Sequence, residues 1–310
     1  MILNNYIIDE VTNNHPNFLI IPTRKEDIVK NASIASNYDF DLISLLQKRY
    51  PNKYVTLTKS AKDALKLVYE NTKEYNGNEN GNTIIKTTSN NFYISGCVTK
   101  TIELYQNWTR NKDANSDYQL FNHEFGYADN SIVDYDSDKI VIEDCAYSFN
   151  SRLHNNKLCG TMSNYSIFSL SKFFPIQIGG FLLSETPVHY YMEKEIEQYI
   201  SNVVGYYFDE IENWSLKRRD IFHYYCSVFS DLGIKPFFRL TENSVPGVFL
   251  FTAPKEIDLS SLKRYYWARG VQCSVFYGEQ AFYLPLNQFT EKAHVDYFAL
   301  ILKSFIKNYN

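Results

Sequence analysis

Short apolar runs and helical repeats alternate along the first part of the chain. Residues Tyr54–Leu57, Thr83–Thr87 and Lys139–Ile142 are rich in β-branched and aromatic side chains, which predicts buried strands. Between them, Ser60–Tyr69 and Ile94–Trp108 carry apolar residues at helical spacing. The first forty residues show no clear repeat and are predicted to be largely irregular. Because strands and helices alternate, the pattern predicts a parallel α/β sheet.

The pattern changes after Glu185, where long helices with one apolar face replace the alternation. These predicted helices cover residues 188–207, 216–232 and 291–306. A strand at Gly247–Phe251 lies among them. We therefore expect a large α/β domain at residues 1–187 and a smaller α+β domain at residues 188–310.

Composition excludes several classes of function. The 310 residues are 45% hydrophobic and 16% aromatic, which is enough to build a core and argues against global disorder. The formal charge of −4 arises from acidic and basic residues mixed along the chain, so no polyanion-binding surface is expected. Nucleic acid is therefore not an expected partner.

Cysteine usage and the N-terminus predict a cytoplasmic protein. The five cysteines are an odd number without paired spacing, which favours reduced thiols. The spacing of His154 with Cys145 and Cys159 matches no usual zinc site, so no metal is expected. The first ten residues do not have the pattern of a signal peptide. No apolar segment approaches the roughly 18 residues of a spanning helix, and a membrane is not an expected partner.

Two predicted strands end in side chains that suit one cofactor. Asp144 ends the apolar run that begins at Ile140, and Lys172 ends the run that begins at Ser166. A glycine pair at Gly179 then opens a third strand. Pyridoxal 5'-phosphate (PLP) needs a carboxylate at its ring nitrogen and a lysine at its aldehyde. Two other interpretations stay open: Asp144 could cap a helix or form a surface ion pair, and Lys172 could point to solvent.

Two further segments could hold other parts of the same cofactor. Ser60 precedes a predicted helix, so the amides of Ala61 and Lys62 could bind a phosphate, although Ser60 could equally be an ordinary helix cap. Phe92 and Tyr93 follow a predicted strand, where an aromatic ring could stack on the cofactor or simply pack in the core.

Together these motifs resemble those of the DegT/DnrJ/EryC1/StrS family, which are PLP-dependent sugar aminotransferases of fold type I. The family pattern combines an apolar strand with Glu-Asp-x-Ala, a glycine turn, a Phe-Ser strand ending in lysine, and a Gly-Gly strand. The matching segments are Ile142–Ala146, Gly160–Asn164, Phe168–Lys172 and Gly179–Gly180, with Phe125–Gly126 and Ser60–Leu65 upstream and Arg218–Tyr225 and Leu284–Gln288 downstream.

The resemblance implies a fold, a reaction and a set of roles. It implies a mostly parallel, seven-stranded sheet with a small C-terminal domain, and a homodimer whose active sites are each completed by the partner subunit. It implies transfer of an amino group from glutamate or a similar donor to a keto-sugar, nucleotide-linked and destined for bacterial surface polysaccharide. By the same resemblance, Lys172 would be the Schiff-base lysine and Asp144 would pair with the ring nitrogen. Tyr147 would lie near the 3' oxygen, where the family has Gln or His. Phe92 or Tyr93 would stack on the ring, and the phosphate would be bound by Ser60, Ala61, Lys62 and Ser169.

The sequence departs from the family pattern at several points, and two of them concern the elements that would form the site. The usual Ser-Gly-Thr phosphate turn is replaced by Ser60, Ala61 and Lys62. The Gly-x-Asn-x-Arg segment after the Gly-Gly strand is missing, and Asn202–Tyr206 occupies its region. Two alternatives therefore stay open: a PLP enzyme acting on a small phosphorylated or other carbonyl substrate, and a non-catalytic homologue that scaffolds or regulates a partner.

Overall fold

The computed structural model describes residues 16–76 and 82–309. The described residues form two compact units. One unit spans Thr23–Ile211, and the other joins residues 16–22 to residues 212–309. The domain boundary near residue 187 stays a prediction from the sequence.

A seven-stranded sheet is the framework of the Thr23–Ile211 unit within its described residues. Its order is β1-β7-β6-β5-β4-β2-β3, and β7 runs antiparallel to both of its neighbours while the remaining pairs are parallel. The predicted mostly parallel sheet is confirmed. The strands are β1 (Tyr54–Thr58), β2 (Asn82–Thr87), β3 (Asn107–Thr109), β4 (Tyr118–Asn122), β5 (Ile140–Asp144), β6 (Tyr165–Ser169) and β7 (Gly180–Ser184).

Helices pack on this sheet through their apolar faces. In α3, the side chains of Ala64, Leu65 and Val68 are buried against a cluster that includes Leu120 and Ile142. Burying each large aliphatic side chain contributes about 1.5–3 kcal/mol before the entropic cost of ordering it. The helices of this unit are α1 (Lys25–Asn37), α2 (Leu42–Arg49), α3 (Ala61–Asn76), α4 (Gly96–Ile102) and α5 (Lys194–Tyr206).

The topology brings the ends of six strands to one edge of the sheet. Strand β1 runs in the same direction as β6, because both are antiparallel to β7. Gly180, the first residue of β7, therefore pairs with both Thr58 and Ser169, the last residues of β1 and β6. Asn122 and Asp144 pair at the ends of β4 and β5. Ligands of open α/β sheets bind at this carboxyl edge.

Two predictions of secondary structure were wrong. Residues 25–37 form α1 instead of an irregular segment, because its inward face carries the buried polar residues Asp27 and Asn31, which hide the helical repeat. The predicted helix at Ile94–Trp108 is only α4 followed by β3. Trp108 there pairs with Thr83 of β2, so sheet pairing overrides the apolar spacing.

The other unit has the expected α+β composition. Its described residues contain an antiparallel four-stranded sheet in the order β10-β11-β9-β8. The rings of Tyr225 and Phe249 stack at 4.3 Å in its core, and the buried Arg218 guanidinium donates to Gln288. The elements are α6 (Ile211–Ser230), β8 (Lys235–Pro236), β9 (Val248–Thr252), α7 (Leu259–Trp267), β10 (Ser274–Phe276), β11 (Ala281–Pro285) and α8 (Lys292–Tyr309).

Throughout the part of the chain that the structure describes, no helix is both long enough and apolar enough to cross a membrane.

Candidate functional site at the carboxyl edge of the sheet

The carboxyl edge brings together the side chains that the sequence singles out. Asp144 is the last residue of β5, and Ser169 is the last residue of the neighbouring strand β6. Lys172 ends a single 3-10 turn that follows β6 directly. Ser60 precedes α3 at the end of β1. Residues that are more than 100 positions apart in sequence therefore lie together at the carboxyl edge. We call this part of the edge, with Ser60, Asp144, Ser169 and Lys172, the rim.

The Asp144 carboxylate is buried and held by two donors. Only 5% of the residue is exposed, which is incompatible with a surface ion pair. Its Oδ1 accepts the Ala146 N–H at 3.0 Å, and its Oδ2 accepts Asn122 Nδ2 at 3.3 Å. Burial raises the pKa of Asp144, against the opposing effects of the Ala146 N–H and of His123. An ionised carboxylate in this place would be stabilised by a cationic group on a ligand.

The Lys172 amine lies against an aromatic ring. Lys172 is half-buried, and its Nζ lies 5.0 Å from the centroid of the Tyr147 ring. The Tyr147 ring in turn packs on Phe125, with 5.5 Å between ring centroids. The structure thus places Lys172 and Tyr147 together at the rim. A lysine that simply points to solvent would not be half-buried against a ring in this way.

The N-terminus of α3 lies at the same edge, beside the first residue of β7. Ser60 caps the helix: its Oγ accepts the Asp63 N–H at 3.3 Å and donates to the Asp63 carboxylate at 2.7 Å. The backbone of β7 approaches so closely that a Cβ on Gly180 would lie 2.6 Å from the Ala61 nitrogen. A glycine is therefore required for the strand to run beside the Ala61 amide. Helix N-terminal amides next to hydroxyl groups are a suitable environment for a phosphate.

The aromatic residues Phe92 and Tyr93 lie in the loop after β2, at the same carboxyl edge. Phe92 is 78% exposed and Tyr93 is 45% exposed, so core packing does not account for them. An exposed ring at the edge of a site is available to stack on a planar ligand. Their role on the cofactor ring stays a prediction.

A buried carboxylate beside Asp144 was not given a role by the sequence. Glu143 is fully buried and accepts hydrogen bonds from His123 Nε2 at 2.9 Å, the Gly160 N–H at 2.7 Å, the Met162 N–H at 2.9 Å and Ser163 Oγ at 3.0 Å. Burial acts to raise the pKa of Glu143, but the bonds from His123, Gly160 and Met162 outweigh it and lower the pKa. The carboxylate therefore ties β4 and β5 to the glycine turn.

His123, Glu143 and Cys145 could also be considered as metal ligands, since their ligand atoms lie within 4.8 Å of one another. His123 Nδ1 accepts the Asp129 N–H at 2.9 Å, so its Nε2 carries the proton that is donated to Glu143. Both ring nitrogens and both carboxylate oxygens are thus engaged within the protein. We interpret the cluster as a structural hydrogen-bond network.

This network predicts a stability effect at Glu143. We expect Glu143→Ala to lower the free energy of unfolding by about 3–5 kcal/mol, because it leaves buried donors without an acceptor. Since the folded-state pKa of Glu143 is lowered, its contribution is present above the unfolded pKa of about 4.3 and is lost as the pH falls through the folded pKa. Urea unfolding between pH 3 and pH 7 measures both effects.

A matched control is Glu185→Ala, which removes an ion pair with Lys53 in which the Glu185 side chain is 56% exposed. We expect that change to cost less than about 1 kcal/mol. A Glu143 variant as stable as the Glu185 variant at pH 7 would show that the network does not stabilise the fold.

Comparison with known proteins supports the architecture. No protein-family profile and no curated protein sequence match this chain. A DegT DnrJ EryC1 StrS aminotransferase from Brucella abortus is similar in structure, with a TM-score of 0.68 at 12% identity over 90% of this chain and 96% of that one. Helicobacter pylori PseC, an aminotransferase of pseudoaminic acid biosynthesis, has a TM-score of 0.70 at 15% identity over 94% and 99%.

A third similar structure is E. coli GDP-4-keto-6-deoxy-D-mannose-3-dehydratase with bound hydrated PLP. Its TM-score is 0.68 at 13% identity, over 93% of this chain and 100% of that one. Identities this low establish a common architecture only. The predicted structural resemblance is thereby confirmed: the chain has the fold of the DegT DnrJ EryC1 StrS aminotransferases.

Proposed function

We propose that the chain is a PLP-dependent aminotransferase that moves an amino group from glutamate or a similar donor to a keto-sugar. The observation that carries the proposal is the placement of Asp144 and Lys172 at the ends of adjacent strands, on a rim that also holds the N-terminus of α3. The site thus offers a buried carboxylate, an amine and a phosphate-type cradle. Its fold neighbours include aminotransferases and a dehydratase whose structure contains hydrated PLP.

The residues of the rim fit the polar groups of that cofactor. Asp144 would hold a proton on the ring nitrogen, and burial makes such a cation favourable beside it. Ala61, Lys62 and Ser169 would bind the phosphate together with Ser60, whose hydroxyl donates to Asp63 in this structure and would turn to the phosphate on binding. When bound, PLP supplies an electron-poor ring that stabilises negative charge at the substrate α-carbon.

Lys172 would act at two points. Its Nζ would hold the aldehyde end of the cofactor in the resting enzyme. When it is free of the cofactor, the same Nζ would serve as the base that takes the proton from the donor α-carbon. Phe92 or Tyr93 would cover the ring face from the loop after β2 and exclude water from it.

The finer parts of the proposal concern the acceptor and its setting. A nucleotide-linked keto-sugar is the proposed acceptor, in agreement with a fold neighbour that is a GDP-4-keto-6-deoxymannose-3-dehydratase with bound GDP-perosamine. Its use in surface polysaccharide synthesis is proposed from the family resemblance alone. We further propose that the protein is cytoplasmic, in agreement with five cysteines that are all unbridged, and that it is a homodimer, as the family resemblance implies.

One observation favours a smaller carbonyl substrate as the alternative. Asn202 accepts the Phe40 N–H at 2.8 Å and donates to the Ala35 carbonyl at 3.0 Å. Gly205 faces the same loop, since a Cβ there would lie 2.4 Å from Phe40 Cβ. The region in which the family has its Gly-x-Asn-x-Arg segment therefore belongs to helix α5 in this chain, and α5 packs on its own subunit. Without that element, a small phosphorylated ketone becomes a reasonable acceptor.

Glutamate half-reactions test the proposal. The protein is loaded with PLP and mixed with glutamate, and we expect the visible absorbance of lysine-bound PLP to be replaced by that of the aminated cofactor. A nucleotide-linked keto-sugar, a small phosphorylated ketone and pyruvate are then offered separately, and the acceptor that restores the first spectrum identifies the substrate class. A protein that shows neither spectrum with any partner would be the non-catalytic homologue.

A further inference from the structure

We infer that Tyr147 is a positioning residue for Lys172, acting through the face of its ring, and that Phe125 fixes this ring in place. The inference deepens the proposed function and rests on it for the role of Lys172. Tyr147 occupies the position at which the similar family has Gln or His, residues that would act through a polar atom. The geometry in this chain points to its aromatic face instead.

The contact between Lys172 and Tyr147 has the dimensions of a cation–π interaction. The Lys172 Nζ lies 5.0 Å from the ring centroid, within the roughly 6 Å over which a ring quadrupole attracts an ammonium group. The turn that carries Tyr147 is fixed by the bond from the Ala146 N–H to Asp144 Oδ1. The ring that receives Lys172 is thus attached to the carboxylate that would bind the other end of the cofactor.

Phe125 supports Tyr147 from a backbone conformation that disfavours side chains. Its φ of 53° and ψ of 24° lie in the left-handed region, which bulky residues rarely adopt. The Ser89 N–H donates to Glu124 Oε2 at 2.7 Å, and Ser151 Oγ donates to the Gly126 carbonyl at 2.6 Å, so the turn is held on both sides. A glycine would adopt this conformation without strain. What phenylalanine adds is a ring 5.5 Å from that of Tyr147.

Three substitutions of Tyr147 separate the ring from the hydroxyl. Apo-protein is mixed with PLP, reduced with borohydride at timed intervals, and digested to quantify PLP on the Lys172 peptide by mass spectrometry. We expect Tyr147→Phe to attach PLP at close to the wild-type rate, and Tyr147→Leu and Tyr147→Gln to be slower by about tenfold. Fast attachment in the glutamine variant together with slow attachment in the phenylalanine variant would overturn the inference in favour of a polar contact.

Phe125 is tested in the same assay with a matched pair of variants. Phe125→Gly removes the ring and relieves the backbone, whereas Phe125→Ala removes the ring alone. We expect the glycine variant to have a higher melting temperature than the alanine variant. Both variants should attach PLP more slowly than the wild type. Wild-type attachment rates in both variants would remove Phe125 from the inference.

A cofactor-free measurement distinguishes a failure of this inference from a failure of the proposed function. Lysines are labelled with formaldehyde and cyanoborohydride without PLP, and labelling of Lys172 is normalised to that of Lys59. Formaldehyde needs access to the Lys172 amine but no alignment with a bound cofactor, so removing the ring that covers one side of the amine should raise this ratio about threefold in Tyr147→Leu. The ratio should stay unchanged in Tyr147→Phe, which keeps the ring. Wild-type protein that never attaches PLP would end the proposed function, whereas an unchanged ratio in Tyr147→Leu would end this inference.

Discussion

Lys172→Ala is expected to abolish covalent attachment of PLP and to slow amino transfer from glutamate by on the order of 10³-fold or more. In the proposed reaction, two steps depend on the Lys172 Nζ: attachment of the cofactor and removal of the donor proton. Borohydride reduction followed by peptide mass spectrometry measures attachment, and a single-turnover reaction with glutamate measures proton removal.

A lysine at the same edge serves as the control. Lys59 follows β1, and its Nζ forms an ion pair with Glu193 at 2.5 Å. Because that amine is engaged at the surface, Lys59→Ala should attach PLP and react with glutamate as the wild type does. Persistence of the visible band in Lys172→Ala, or its loss in Lys59→Ala, would show that the reactive lysine has been misassigned.

The strands that carry the site could be predicted because a buried strand is locally rich in apolar residues. Ile140–Asp144 and Tyr165–Ser169 are buried along most of their length and are therefore mostly apolar segments that end in polar residues. Asp144 is the last residue of its strand, as the apolar run predicts. Lys172 was predicted to end the next strand, but that strand ends at Ser169 and Lys172 closes the 3-10 turn that follows it. Helix α1 could not be found in this way, since Asp27 and Asn31 lie on its inward face.

The partners of the site residues could not be predicted, because they depend on strand register. Asn122 reaches Asp144 from a position 22 residues earlier, and His123 reaches Glu143 across 20 residues. Neither spacing has meaning until β4 and β5 are paired in parallel. The left-handed backbone of Phe125 is similarly invisible in the sequence, since phenylalanine gives no indication of a positive φ.

Adjacent carboxylates on β5 differ in environment and therefore in what they do for the fold. Glu143 accepts bonds from several donors and has a lowered pKa, so its charge stabilises the folded chain. Asp144 has a raised pKa because burial outweighs its donors, so its charge opposes folding until a cation pairs with it. Successive side chains of a strand point to opposite faces of the sheet, so Glu143 serves the structure on one face while Asp144 is available to a ligand on the other.

Asp144→Asn should therefore affect stability and activity in opposite directions. Without cofactor, we expect the variant to be more stable than the wild type by about 1 kcal/mol at pH 7, since it removes a poorly compensated buried charge. With PLP, amino transfer should fall by on the order of 10²- to 10³-fold, because nothing holds the proton on the ring nitrogen. Thermal unfolding of apo-protein and single-turnover rates of holo-protein measure the two effects.

The pH dependence of the free energy of unfolding tests whether the charge of Asp144 opposes folding. A raised folded-state pKa means that wild-type apo-protein loses stability as the pH rises from the unfolded value of about 3.9 through the folded value, and the asparagine variant should lack that loss. Asp41→Asn is the control, because Asp41 is an exposed helix cap whose pKa is lowered by its bonds to Ser44. An Asp144→Asn variant that is less stable than the wild type as apo-protein would mean that Asp144 is a structural residue, and the anionic end of the proposed PLP site would have to be sought elsewhere on the rim.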